Sequence, residues 1–159
     1  MPLSDAQRRL WLVQRLQPSS TEYNLPEALR IRHAIDIGLL REAMNAIVAR
    51  HEILRTRFVD IDDEPAQAID SAVDVGMSVD DLGTRDDDAL QTIVASALRE
   101  EWERPFDLAR GPLLRLRLLT FGDRDHVLVR TFHHIVFDGW SRGIVNRELQ
   151  LVYRALRER

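Results

Sequence analysis

The 159 residues include no cysteine, so disulfides, thiolate nucleophiles, cysteine-ligated zinc and iron–sulfur clusters are excluded. Lysine is missing too: all 22 basic residues are arginine. Without lysine there is no Schiff base, no pyridoxal phosphate anchor and no Walker A phosphate loop. No excess of one charge sign stands out either, since 22 basic against 26 acidic residues leave a formal net charge of −4 with no basic stripe. Nucleic acid is therefore not an expected partner. No uninterrupted apolar run approaches the ~18 residues of a membrane span, and the opening MPLSDAQRRL lacks the apolar stretch of a signal peptide. The default expectation is a soluble, cytoplasmic protein that does not engage a membrane.

What is present suffices for one core. The chain is 45% hydrophobic, which suits a single domain and not two. Ser4 is placed to cap a first helix with Ala6, Leu10, Val13 and Leu16 on its inner stripe, ended by Pro18, and with Arg8, Arg9 and Arg15 on a solvated face. Residues 28–33 alternate as a half-buried strand does. Asp36 opens a periodic helix through Leu39, Leu40, Ala43, Met44, Ile47 and Val48, reaching about Glu52. Residues 53–61 read as extended, 66–70 and 75–79 as weaker strands, and the acidic stretch 80–88 as a turn before a helix from Asp88 to Arg104. LLRLRLLTF and HVLVRTF, joined by Gly122-Asp123-Arg124-Asp125, form a β-hairpin pattern, and a last helix starts near Gly139. The alternation of elements predicts an α/β fold, a two-layer sandwich of one sheet with helices packed against it.

One junction carries chemistry. His133-His134-Ile135-Val136-Phe137-Asp138-Gly139 spans the end of the second hairpin strand and the start of the last helix. Such a junction presents side chains from a rigid edge beside the positive end of a helix. Adjacent residues on a strand point to opposite faces, so only one of the two imidazoles can be the working one. If His134 faces a cavity, His133 faces the packed interior. Asp138 has three uses open to it: capping the helix, fixing an imidazole, or pairing with a buried arginine. Gly139 removes a side chain where the backbone turns or approaches a ligand. A metal site built from His133, His134 and Asp138 is not expected, because the strand faces diverge and no further ligand is near.

HHxxxDG at this position resembles the core motif of condensation domains of nonribosomal peptide synthetases, relatives of chloramphenicol acetyltransferase. Two more stretches are similar to that family: Ser4, Ala6, Gln7, Arg9, Leu10 and Trp11 fit SxAQxRLW, and residues 50–58 fit RHExLRTxF. Shorter matches are Tyr23-Asn24-Leu25-Pro26, Pro105-Phe106-Asp107-Leu108 and Gly111-Pro112-Leu113-Leu114-Arg115. The resemblance covers residues 1–159 and only the first of the family's two lobes, implying an amino-terminal subdomain, truncated or split from its carboxy-terminal lobe, with an apolar lobe-facing surface. It implies peptide-bond formation between thioesters carried on the phosphopantetheine arms of donor and acceptor peptidyl carrier proteins, within a synthetase of adjacent domains. The chain itself is then expected to bind no cofactor. The site residues implied are His134 as the working imidazole, with His133, Asp138 and Gly139 beside it. Asp138 is implied to form a structural ion pair with Arg50, Arg55 being second choice, and Trp140 and Ser141 to line the substrate tunnel. The alternative is a noncatalytic platform that binds carrier or tailoring proteins.

Overall fold

Ser4 starts the first helix through reciprocal hydrogen bonds. In the computed structural model, which describes residues 1–62 and 64–159, the Ser4 hydroxyl accepts from the Gln7 N–H and the Gln7 side chain accepts from the Ser4 N–H. Helix α1 covers Asp5–Leu16. Its inner face follows the sequence pattern at Leu10, which packs on the core, and differs elsewhere: Trp11 packs there too, Gln14 is buried, and Leu16 is 73% exposed. The Nε2 of buried Gln14 donates to the carbonyls of Pro18 and Ser20, closing the chain reversal after the helix, while its Oε1 has no hydrogen-bond partner among the described residues. Arg8 and Arg15 are not simply solvated, since they pair with Glu64 and Asp60.

Strand β1 (Asn24–Ile31) leads to α2 (Ile37–Arg50), capped by Asp36, and a 3₁₀ turn over Glu52–Arg55. Then follow β2 (Thr56–Ile61), β3 (Glu64–Ile69), β4 (Met77–Asp81) and α3 (Asp87–Glu103), capped by Asp86. Strands β5 (Leu114–Thr120) and β6 (His126–His133) precede α4 (Gly139–Arg157). The main sheet runs β1-β6-β5-β4, with β4 parallel to β5 and the other pairs antiparallel, while β2 and β3 form a separate two-stranded ribbon.

The α/β class is as read from the sequence, and the sheet carries a further helical layer. Leu116, Leu118, Leu128 and Phe132 point into the core that α2 and α4 cover. Their neighbours Leu119, Val127 and Val129 point the other way, against Leu90 and Ala97 of α3. Every residue of β6 is buried, as a central strand covered on both faces requires. Truncating such a residue, Leu128→Ala for example, costs about 2 to 5 kcal/mol. The fold thus delivers the end of β6 to the sheet rim on a rigid support, with α4 starting five residues after His134.

Candidate active site

Backbone pairing continues past the formal end of β6. The His133 N–H donates to the Leu113 carbonyl at 3.0 Å and the His134 N–H to the Tyr23 carbonyl at 2.8 Å. The chain then folds tightly, Val136 N–H donating back to the His133 carbonyl. Ile135, Val136 and Phe137 are all buried, and the Phe137 ring stacks on Phe132 with centroids 3.7 Å apart. These apolar anchors fix the turn that separates the two histidines from α4.

The two imidazoles meet opposite environments. His133 is 1% exposed, with Tyr23 and Phe106 rings 6.3 and 6.0 Å away. Its Nδ1 receives the Ile135 N–H at 3.1 Å, so in the neutral ring the proton sits on Nε2. Burial, with the neighbouring His134 second, pushes its pKa down to about 4. His134 is exposed, and its Nδ1 lies 2.8 Å from the Phe137 carbonyl. A carbonyl only accepts, so Nδ1 carries the hydrogen and the Nε2 lone pair is left for chemistry.

Asp138 caps α4. Its Oδ1 accepts from the Ser141 N–H at 2.8 Å and the Ser141 hydroxyl at 2.7 Å, and these bonds hold its carboxyl below the usual carboxylate range. The ion pair implied between Asp138 and Arg50 is therefore corrected. The Arg50 side chain is 74% exposed and lies 3.4 Å from Glu148 of α4. Arg55 is turned to the Asp70 carbonyl and Glu52. What ties the RHExLRTxF segment to α4 is His51, whose Nε2 lies 2.6 Å from Glu148. Gly139 is also corrected in part, because it has no left-handed backbone and a Cβ there would meet open space. Ser141 is committed to the cap, and Trp140 is 84% exposed, heading an outward apolar row with Ile144 and Leu151.

The shorter motifs converge on the histidines. Tyr23 supplies a carbonyl to His134, and Asn24 donates its side-chain amide to the carbonyls of Trp102 and Arg104, clasping the end of α3. Phe106 lies edge-on to His133 and under the Arg115 guanidinium at 3.9 Å. The motifs gave no signal for Glu148, which lies 97 positions from His51. Among the described residues no cluster of three or more His, Asp or Glu could hold a metal ion.

The sequence profile of the Condensation domain matches residues 1–159. The chain belongs to the condensation domain family. A linear gramicidin synthase polypeptide of Brevibacillus parabrevis is 41% identical over 155 residues, covering 98% of this chain and 3% of that protein. Phosphinothricin tripeptide synthetase PhsC of Streptomyces viridochromogenes is also 41% identical over 155 residues, covering 98% of this chain and 14% of the other. Among solved structures, the starter condensation domain of rhizomide synthetase RzmA superposes with a TM-score of 0.88 at 31% identity, over 99% of this chain and 39% of that one. SgcC5 of Streptomyces globisporus gives a TM-score of 0.89 at 31% identity, over 99% of this condensation-family chain and 37% of the other. The chain thus spans a small part of the synthetases it resembles and under half of the solved domains.

Proposed function

We propose that this chain is the amino-terminal lobe of a condensation domain in a cytoplasmic nonribosomal peptide synthetase, and that His134 promotes attack of an acceptor α-amine on a donor thioester. The observation that carries this reading is the His134 ring, exposed at the sheet rim with its Nδ1 hydrogen spent on Phe137. Both substrates ride on phosphopantetheine arms of peptidyl carrier proteins, and a carboxy-terminal lobe forms the other wall of the channel. No resident cofactor is needed.

In the reaction the amine nitrogen bonds to the thioester carbon and the carbon–sulfur bond breaks. The amine proton passes to His134 Nε2 and on to the departing thiolate. An α-amine with a pKa of about 7.7 to 8.0 is free in roughly a tenth of molecules at neutral pH, so its deprotonation costs only about 1 to 1.4 kcal/mol. Alignment of amine and thioester is worth ~7 to 11 kcal/mol, so placing the amine outweighs removing its first proton. The Ser141 N–H is taken by Asp138 and is not available to the oxyanion.

The test is to supply the carboxy-terminal lobe in trans with both loaded carrier proteins and to follow dipeptidyl thioester formation. Product from the wild type and a loss of about 10²-fold or more in His134→Ala support the reading. Complex formation without product would favour the noncatalytic platform instead.

A further inference from the structure

Arginine is out of place in HVLVRTF, a strand buried along its whole length. Arg130 is 2% exposed and sits on the face of the sheet that α4 covers. Its Nη2 donates to Glu27 of β1 and, at 2.6 Å, to the Asn146 Oδ1 of α4. The second oxygen of Glu27 takes Arg142 Nε of α4 at 2.7 Å. Arg130 Nε and Nη1 are buried without a hydrogen-bond partner in the structure. Glu27 lies directly opposite Arg130 in the strand register, and Arg142 and Asn146 are one turn apart on α4.

A buried guanidinium of this kind is a poor way to gain stability. Its desolvation commonly cancels the attraction to its partner, and apolar side chains of similar volume in place of the whole pair often serve stability as well or better. What the network does is geometric: from β6 it cross-links β1 and α4. Those two flanks also hold His134, whose N–H bonds the Tyr23 carbonyl one residue before β1 and whose Nδ1 bonds the Phe137 carbonyl two residues before α4. We infer that Arg130, through Glu27 and Asn146, is a positioning residue that fixes α4 against β1 and so holds the His134 ring in its working orientation. This rests on the reaction proposed above.

The mechanism of failure is specific. With apolar packing in place of the network, α4 is free to shift along β1, the Nδ1–H···O bond to Phe137 lengthens, and the ring samples its other tautomer. In a two-lobed domain containing this chain, Arg130→Met is expected to lower kcat between about 10- and 100-fold, with KM changed by less than about twofold. The thermal midpoint is expected to fall as well, because Glu27 is left with Arg142 as its ionic partner, so the kinetic and tautomer readouts are taken well below the variant's own midpoint. Arg130→Lys, which can still donate to both Glu27 and Asn146, recovers most of the rate. A second readout needs no turnover: the imidazole nitrogen shifts of His134 report a single Nδ1-protonated tautomer in the wild type and a mixture in Arg130→Met.

Full kcat and an unmixed tautomer in Arg130→Met would overturn the inference. A fully active His134→Ala alongside a tautomer mixture in Arg130→Met would instead reject the reaction and leave the positioning role standing. Should Arg130→Met not fold, Asn146→Ala combined with Arg142→Ala removes both α4 contacts of the Arg130–Glu27 pair, and its silence in the tautomer readout would equally overturn the inference.

Discussion

The Nδ1 of His134 and the carbonyl of Phe137 lie 2.8 Å apart, and this contact decides which nitrogen can accept a proton. The carbonyl belongs to a residue whose ring is stacked on Phe132 of β6, so the acceptor is as rigid as the sheet. Substituting Phe137 by Ala removes that stack while leaving the carbonyl in the chain. The expected cost is about 3 to 5 kcal/mol of stability, and any fraction that folds should lose the fixed His134 tautomer. Urea unfolding together with imidazole nitrogen shifts measures both. A folded Phe137→Ala that keeps the tautomer would show that the turn holds itself.

His133 should make the fold sensitive to mild acid. Its folded pKa of about 4 lies below the ordinary histidine value of 6.5, so between those pH values the unfolded chain binds the proton and the folded chain does not. Stability contributed by the neutral buried ring is present above about pH 6.5, declines as pH falls, and is gone below about pH 4. The total is on the order of 3 kcal/mol. Denaturant unfolding across this range should show the decline in the wild type and a flatter profile in His133→Phe; parallel profiles would place the proton uptake elsewhere.

Much of the fold could be read from periodicity, because β5, β6 and α2 each present a regular apolar face to one core. Strand β4 was weakly marked since two of its five residues, Asp80 and Asp81, are acidic, and its parallel pairing with β5 through α3 leaves no local signature. The opposite layer made by α3 rests on Leu119, Val127 and Val129, which read as ordinary alternation until the second face is seen to be covered. At the site, the chemistry-bearing junction was legible as a motif. The link between motifs was not, because sequence order says nothing about which charge reaches which. Arg50 and Asp138 suit each other by type, yet Glu148 lies nearer to Arg50 and Ser141 nearer to Asp138.

Asp138→Ala is expected to cost about 1 kcal/mol, the ordinary value of a lost N-cap, and not the ~3 to 5 kcal/mol of a broken buried ion pair. The low carboxyl pKa gives the cap a pH signature of its own. Its contribution is present at neutral pH and is lost as acid protonates the carboxylate below its usual range. Asp138→Asn should retain most of the stability, since an amide oxygen still accepts from Ser141. Urea midpoints of the two variants at pH 7 provide the comparison, and a loss of several kcal/mol in Asp138→Ala would restore a buried partner to the picture.

His51 and Glu148 should show coupling that Arg50 and Glu148 do not. The histidine contact is short and partly buried, whereas the Arg50 side chain is largely in solvent. A double-mutant cycle on His51→Ala and Glu148→Ala is expected to return about 0.5 to 1 kcal/mol, and the corresponding cycle with Arg50→Ala close to zero. Equal coupling in both cycles would mean that Glu148 acts as a general anion at the end of α2 and not as a specific partner.

Glycine at 139 and glycine at 111 should part company when each is replaced by alanine. Gly111 has φ of 58° and a Cβ there would stand 3.1 Å from Arg57 Cγ, so Gly111→Ala should destabilise by about 1 to 2 kcal/mol. Gly139 begins α4 with ordinary backbone and open space around it, so Gly139→Ala should leave the unfolding midpoint unchanged. If the two-lobed domain nonetheless loses turnover with Gly139→Ala, the added methyl must be meeting something absent from this lobe, as the proposed substrate arm would be. Unimpaired turnover would show that nothing approaches α4 at its first residue.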